Sequence, residues 1–173
     1  MFEFADEKWL FELVTEDDII QAEEKLGMQF PEQLRTFYLE AGSGYLIDPE
    51  EDASDLDRVL SPFEVLQMHN REGEFAQYAR YLSEGGIEER EAEGDLVFFQ
   101  INHATYLTIS PKENGRIYYY DLPIAESLED FFRKYLEEYH YFYDLYAEEK
   151  KIYSIKSNGL KEWILAKNEF LNK

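Results

Sequence analysis

Hydrophobic residues between Thr15 and Gly44 recur with the spacing of two short helices. The first apolar stripe comprises Ile19, Ala22 and Leu26, which share one face of a helix. Thr15 precedes this stripe and belongs to the residue types that favour a helix N-cap. A glycine ends each stripe, as is common at helix C-termini. The second stripe comprises Leu34, Phe37, Tyr38 and Ala41.

The hydrophobic period changes to that of β-strands from Asp95 onward. Three segments are rich in β-branched and aromatic residues, and Asn114 and Gly115 precede the last of them, which is a strong hairpin signal. We therefore predict an α+β fold with a single domain and a mainly antiparallel central sheet, covered on one face by helices from both chain ends. The predicted strands lie near residues 44–47, 95–101, 104–110 and 116–121, and the last long helix begins at Ser127.

Shorter patterns predict the remaining elements. Trp9, Leu10 and Leu13 have helical spacing, which indicates a lead-in helix. Ser61 begins a capping box and therefore a further helix. The charged residues 88–93 are typical of a solvated linker.

The predicted domain spans residues 1–146, and residues 147–173 form a C-terminal extension. The extension holds six lysines and four glutamates in an otherwise acidic chain. Its apolar residues have the spacing of an amphipathic helix, which we expect to pack back on the domain. A dimer contact is the alternative, so the chain is expected to be a monomer or a weak homodimer.

Charge limits the classes of partner. The chain of 173 residues has a formal net charge of −21, which repels phosphate backbones and anionic membranes. Direct binding of nucleic acid or membrane is therefore not expected, whereas a basic partner would be attracted. Acidic surface can also serve solubility alone. The acidic first residues differ from a signal peptide and no apolar run spans a membrane, so a cytoplasmic location is expected.

Enzyme chemistry has little support in the sequence. Cysteine is absent, and the three histidines lack the spacing of metal ligands. Phosphate-binding and nucleophile-elbow motifs are also missing. We predict a protein that is not an enzyme and requires no cofactor or metal.

A series of residues resembles a known family. The series is Glu23, Leu26-Gly27, Phe30-Pro31, Phe37-Tyr38, Gly42-x-Gly44, a strand ending near Asp121 and a helix that begins at Ser127. It resembles the SUKH superfamily, the Smi–Knr-like domain, over roughly residues 15–142. Phe30 replaces the usual Leu, and His103-Ala104 replaces a Gly-rich turn.

The resemblance implies a function as well as a fold. Members of the superfamily are known mainly as immunity proteins against bacterial polymorphic toxins, which are often nucleases, and as related eukaryotic cell-wall regulators. We therefore expect the chain to bind and occlude a basic protein toxin, with nuclease activity in the toxin. A regulatory or scaffold domain with another intracellular partner is the alternative.

Two acidic features of the sequence are expected to interact with other groups. They are Glu23 and the acidic segment of residues 48–57. Glu23 shares a face with Ile19 and Leu26, so we expect a partly buried carboxylate that accepts backbone N–H groups or pairs with Arg35. The acidic segment is either a solvated loop or a contact for a basic partner. The predicted contact residues are Asp48, Glu50, Glu51, Asp52 and Asp55, with Tyr45 and Tyr118 as aromatic anchors.

Overall fold

The computed structural model describes residues 9–46, 57–78, 86–102 and 105–148. The strands are β1 (Trp9–Glu12), β2 (Ser43–Leu46), β3 (Asp57–Val59), β4 (Leu96–Ile101), β5 (Thr105–Ser110), β6 (Arg116–Tyr119) and β7 (Leu122–Ala125). The helices are α1 (Glu16–Leu26), α2 (Glu32–Glu40), α3 (Pro62–Asn70), α4 (Ile87–Ala92) and α5 (Leu128–Glu137), with a 3-10 helix over Gly73–Tyr78. Residues 142–148 are also helical. None of the helices described is long and apolar enough to cross a membrane.

The described strands form one seven-stranded sheet whose order follows the chain from β1 to β7, and every neighbouring pair is antiparallel. The α+β fold and its antiparallel sheet are therefore confirmed. All four predicted strands are present, as β2, β4, β5 and β6. The sequence pattern missed β1, β3 and β7, which have only three or four residues each.

The predicted lead-in helix is wrong, because Trp9 and Leu10 lie in the strand β1. Leu10 pairs with Tyr45 and Phe11 pairs with Gly44 across the β1–β2 ladder. A Cβ atom on Gly44 would lie 2.1 Å from the carbonyl oxygen of Leu10, and Gly42 meets the carbonyl of Glu12 equally closely. The two glycines therefore let β1 approach β2, and tertiary pairing overrides the helical spacing.

The aromatic core lies between the sheet and helices from both ends of the chain. Phe37 of α2 stacks on Phe132 of α5 with a ring separation of 4.8 Å, and Phe99 of β4 meets Phe131 at 5.3 Å. Phe98 is the extra residue of a β-bulge between Val97 and Phe99. The bulge allows two successive phenylalanines to contact Phe131, which a regular strand would not.

The corner between α1 and α2 is fixed by Glu23, as predicted. Glu23 is only 8% exposed. One carboxylate oxygen accepts the backbone N–H of Phe30 at 2.8 Å, and the other pairs with Arg35. That hydrogen bond to Glu23 raises the pKa of Arg35 above its ordinary value. The buried carboxylate is thus fully partnered and has a structural role.

The prediction of a solvated linker at residues 88–93 is wrong. This segment lies almost entirely in α4, which packs against β4 and β5. Ile87 is buried at its start, and Arg90 is half-buried. Charge alone suggested a linker, whereas the helix is stabilised by contacts far away in the sequence.

The chain divides into two compact units, residues 1–133 and residues 134–173. The described part of the second unit contains an aromatic cluster in which Tyr135, Phe142 and Tyr143 surround the ring of His140. Residues 149–173 lie outside the described residues. The packing of the C-terminal extension therefore stays a prediction.

Candidate partner-binding site

The five predicted acidic contact residues lie outside the described residues, but the two ends of their segment are described. Leu46, at the end of β2, pairs with Asp57, at the start of β3. Residues 47–56, which include the five acids, thus connect two antiparallel strands. Asp48, the first of the five predicted acidic contacts, follows Tyr45 by three residues in the sequence.

Tyr45 lies on the face of the sheet opposite the aromatic core. A row of paired residues crosses this face from β1 to β4: Leu10, Tyr45, Arg58 and Gln100. Directly paired residues on antiparallel strands point to the same side, so these four side chains are neighbours. Tyr45 is 41% exposed, which leaves much of its ring open to solvent.

Arg58 forms the floor beneath Tyr45 and is held there by side-chain hydrogen bonds. Its guanidinium donates to Gln100 Oε1 at 2.5 Å, to Glu64 Oε1 at 2.8 Å and to Glu74 Oε1 at 3.1 Å. It also lies 5.7 Å from the centre of the Tyr45 ring. Burial alone would lower the pKa of Arg58, but Glu64 and Glu74 outweigh it and raise the pKa above its ordinary value. The Arg58 guanidinium therefore stays charged.

A groove of about 450 Å³ opens above this floor. Two further apolar side chains line it and are largely exposed, Leu10 at 60% and Phe63 at 58%. Sequence reasoning missed both. Phe63 could have been found, because it lies outside the apolar stripe of α3 that Val65 and Leu66 define. Leu10 could not, since its exposure depends on β1 being a strand.

Tyr118, the other predicted anchor, is in a different environment. It is only 6% exposed, and the Arg90 guanidinium lies 3.5 Å from the centre of its ring. Its hydroxyl donates to Glu113 Oε2 at 2.7 Å. Burial, followed by this hydrogen bond, raises the pKa of Tyr118. A partner could reach the ring only after Arg90 moved away.

Arg90 is itself held by a buried acid. Asp95 is 1% exposed and accepts from Arg90 Nε at 2.7 Å, with Thr108 Oγ1 at 3.4 Å from the same oxygen. Arg90 also reaches Glu113 at 3.2 Å. The cluster of Arg90, Asp95, Glu113 and Tyr118 is therefore closed and well paired, in contrast to the open groove at Tyr45.

The fold and the groove define the class of protein as an α+β domain with an exposed groove of apolar and charged side chains on its sheet. The SMI1 / KNR4 family (SUKH-1) matches residues 13–134, which is most of the chain, so the protein belongs to that family. It is also 31% identical over 138 residues to "Immunity protein YxxD" of Bacillus subtilis (strain 168), which covers 79% of this chain and 89% of that protein. No solved structure matches the chain.

Proposed function

We propose that this protein is an immunity protein that binds a cognate toxin and neutralises it by occlusion, without catalysing a reaction. The similarity to the Bacillus subtilis immunity protein, which extends over 89% of that protein, carries the proposal. Membership of the family over residues 13–134 supports it. The family match covers strands β2 to β7 and begins directly after β1.

The proposed toxin is basic and is a nuclease. A net charge of −21 attracts a surface that has evolved to hold nucleic acid. The carboxylates of Asp48, Glu50, Glu51, Asp52 and Asp55 would then lie where the toxin binds phosphates. The proposed location is the cytoplasm, where the nucleic acid that such a toxin attacks is found.

Acidic and aromatic residues have separate roles in this proposal. Charges on a rim act mainly on the rate of association, because they steer the encounter of the two proteins. Aromatic side chains that become buried act mainly on the rate of dissociation. Tyr45 suits the second role by its exposure. Tyr118 would contribute only if Arg90 were displaced from its ring.

Co-expression with the cognate toxin tests the proposed function. We expect cells that carry the toxin alone to stop growing, and cells that also carry this protein to grow. The two purified proteins should form a complex in which the toxin is inactive on its substrate. A toxin that remains active at saturating concentrations of this protein would overturn the proposal.

The role of the acidic segment has its own test. Replacement of the five acids by Asn or Gln should slow association and weaken its dependence on salt concentration. A matched control changes five exposed acids elsewhere, namely Asp17, Glu24, Glu88, Glu89 and Glu93. If both variants slow association equally, net charge matters and the position of the acids does not.

A further inference from the structure

We propose that the groove between β1, β2, β3 and α3 is the docking site for one apolar side chain of the toxin, flanked by a lysine or arginine. The inference rests on the proposed function and names the part of the toxin that the groove accepts. The groove comprises Leu10, Glu12, Tyr45, Phe63 and Glu74 around the Arg58 floor.

The first observation is the grouping of exposed apolar residues. Leu10, Tyr45 and Phe63 line the same groove and are exposed at 60%, 41% and 58%. Single apolar residues on a surface are ordinary, whereas several around one concave site indicate a contact. A volume of about 450 Å³ falls within the range of sites that enclose a ligand or an anchoring side chain.

The second observation is the charge of the lining. The groove is lined by three carboxylates, from Glu12, Glu64 and Glu74, and by one guanidinium, from Arg58. Glu64 and Glu74 both bond to that guanidinium, but the side chain of Glu74 is still 53% exposed. The lining is therefore negative overall, and a partner that brings another cation would be complementary. A partner with an acidic flank would be repelled.

The third observation is the rigidity of the floor. Arg58 lies between the rings of Tyr45 and Phe75, 5.7 Å and 5.5 Å from their centres, and Gln100 holds it from the sheet. A site whose floor is already ordered loses little conformational entropy on binding.

Dissociation of the toxin complex tests the inference. Phe63→Ala and Leu10→Ala should each speed dissociation, by about 30-fold for Phe63 if it is a hot spot. Glu74→Gln should slow association a few-fold at low salt and have less effect at high salt. The control is Leu39→Ala, which removes a side chain that is 50% exposed on α2, outside the groove. It should leave both rates unchanged.

Each outcome separates the inference from the proposed function. If the unaltered protein binds tightly but Phe63→Ala and Leu10→Ala leave the dissociation rate unchanged, the groove is not the docking site. The proposed immunity function would still stand. Failure of the unaltered protein to bind the toxin would overturn both. Circular dichroism and thermal unfolding of every variant identify any loss of binding that comes from misfolding. In that event Phe63→Leu, which keeps an apolar side chain, should restore the fold and most of the binding.

Discussion

Tyr45 and Tyr118 lie on the same face of the sheet, each beside an arginine, yet only Tyr45 is substantially exposed. Arg58 lies 5.7 Å from the centre of the Tyr45 ring, and 41% of Tyr45 is exposed. Arg90 lies 3.5 Å from the centre of the Tyr118 ring, and 6% of Tyr118 is exposed. The same pair of residue types thus makes an open site at one end of the sheet and a closed one at the other.

The partners of the two arginines explain the difference. Arg90 extends from α4 and lies over the Tyr118 ring. Asp95, which is 1% exposed, holds Arg90 in this position through a hydrogen bond. Arg58 is instead drawn toward Glu64 and Glu74, which lie to one side of Tyr45 and line the groove. The neighbouring carboxylates decide where each arginine lies. The position of the arginine in turn decides whether the tyrosine is exposed or covered.

Arg90→Ala should have the largest effect on stability. It leaves Asp95 buried without its partner, and loss of one member of a buried pair costs about 3–5 kcal/mol. Chemical denaturation at neutral pH measures the free energy of unfolding. Arg58→Ala should cost only about 1–2 kcal/mol, because Glu64 and Glu74 are 24% and 53% exposed and can be rehydrated.

The exposed ion pair of Arg133 and Asp130 supplies the control. Arg133→Ala should change the free energy of unfolding by less than about 0.5 kcal/mol, since the Arg133 side chain is 59% exposed. Equal losses for Arg90→Ala and Arg58→Ala would mean that the two ends of the sheet do not differ in the way described.

Gly44→Ala should destabilise the open end by about 2–4 kcal/mol. Gly44 has a φ of 145°, and an added Cβ would lie 2.1 Å from the Leu10 carbonyl oxygen, so strain and overpacking combine. Gly27→Ala is the matched control. Gly27 also has a positive φ, of 70°, but nothing lies within 4 Å of its Cβ position, so the cost should be about 1 kcal/mol.

Hydrogen exchange locates the effect of Gly44→Ala. Amide protection should fall in β1 and β2, which the substitution separates, and should persist in β5 and β6. Uniform loss of protection, or a cost no larger than that of Gly27→Ala, would contradict the close approach of the two strands.

The sequence predicts the elements that carry their own local signal. The strands β4, β5 and β6 have dense β-branched and aromatic residues, and Glu23 has an unambiguous place on an apolar face. The α+β fold follows from these elements and from the family resemblance. The predicted positions agree with the structure because local preference and tertiary packing favour the same conformation.

The remaining features depend on residues far apart in the sequence. The apolar residues of β1 have the spacing of a helix. They form a strand because Gly42 and Gly44, which lack a side chain, let the β1 backbone approach β2 closely. The exposure of Tyr118 depends on Arg90, which lies in a segment whose composition indicated a linker. Neither tyrosine has a local signal that would distinguish an anchor from a core residue, since each lies in a strand of only four residues.

Glu113 should give the closed end a small dependence on pH. The hydrogen bond from the Tyr118 hydroxyl, and then the contacts with Arg90, lower the pKa of Glu113 below its ordinary value of 4.5. The carboxylate therefore adds stability above about pH 5, and this is lost as the pH falls through the lowered pKa. Glu113→Gln should cost less than about 1 kcal/mol at neutral pH and nothing in strong acid.

Thermal unfolding between pH 7 and pH 2 measures this effect. Glu129→Gln, which removes one charge from an exposed position on α5, should lower stability less than Glu113→Gln at neutral pH. A cost for Glu113→Gln that grows as the pH falls would have the wrong sign and would contradict the pairing with Tyr118.

The proposed site is tested most directly by the rate at which the toxin dissociates from two variants of this protein, Tyr45→Ala and Tyr118→Phe. If the toxin binds the open end, Tyr45→Ala should speed dissociation by at least tenfold, because it removes an exposed ring from the contact. Tyr118→Phe, which removes only a hydroxyl already bonded to Glu113, should leave the rate unchanged. Faster dissociation from Tyr118→Phe, with Tyr45→Ala unchanged, would place the contact at the closed end and contradict the account.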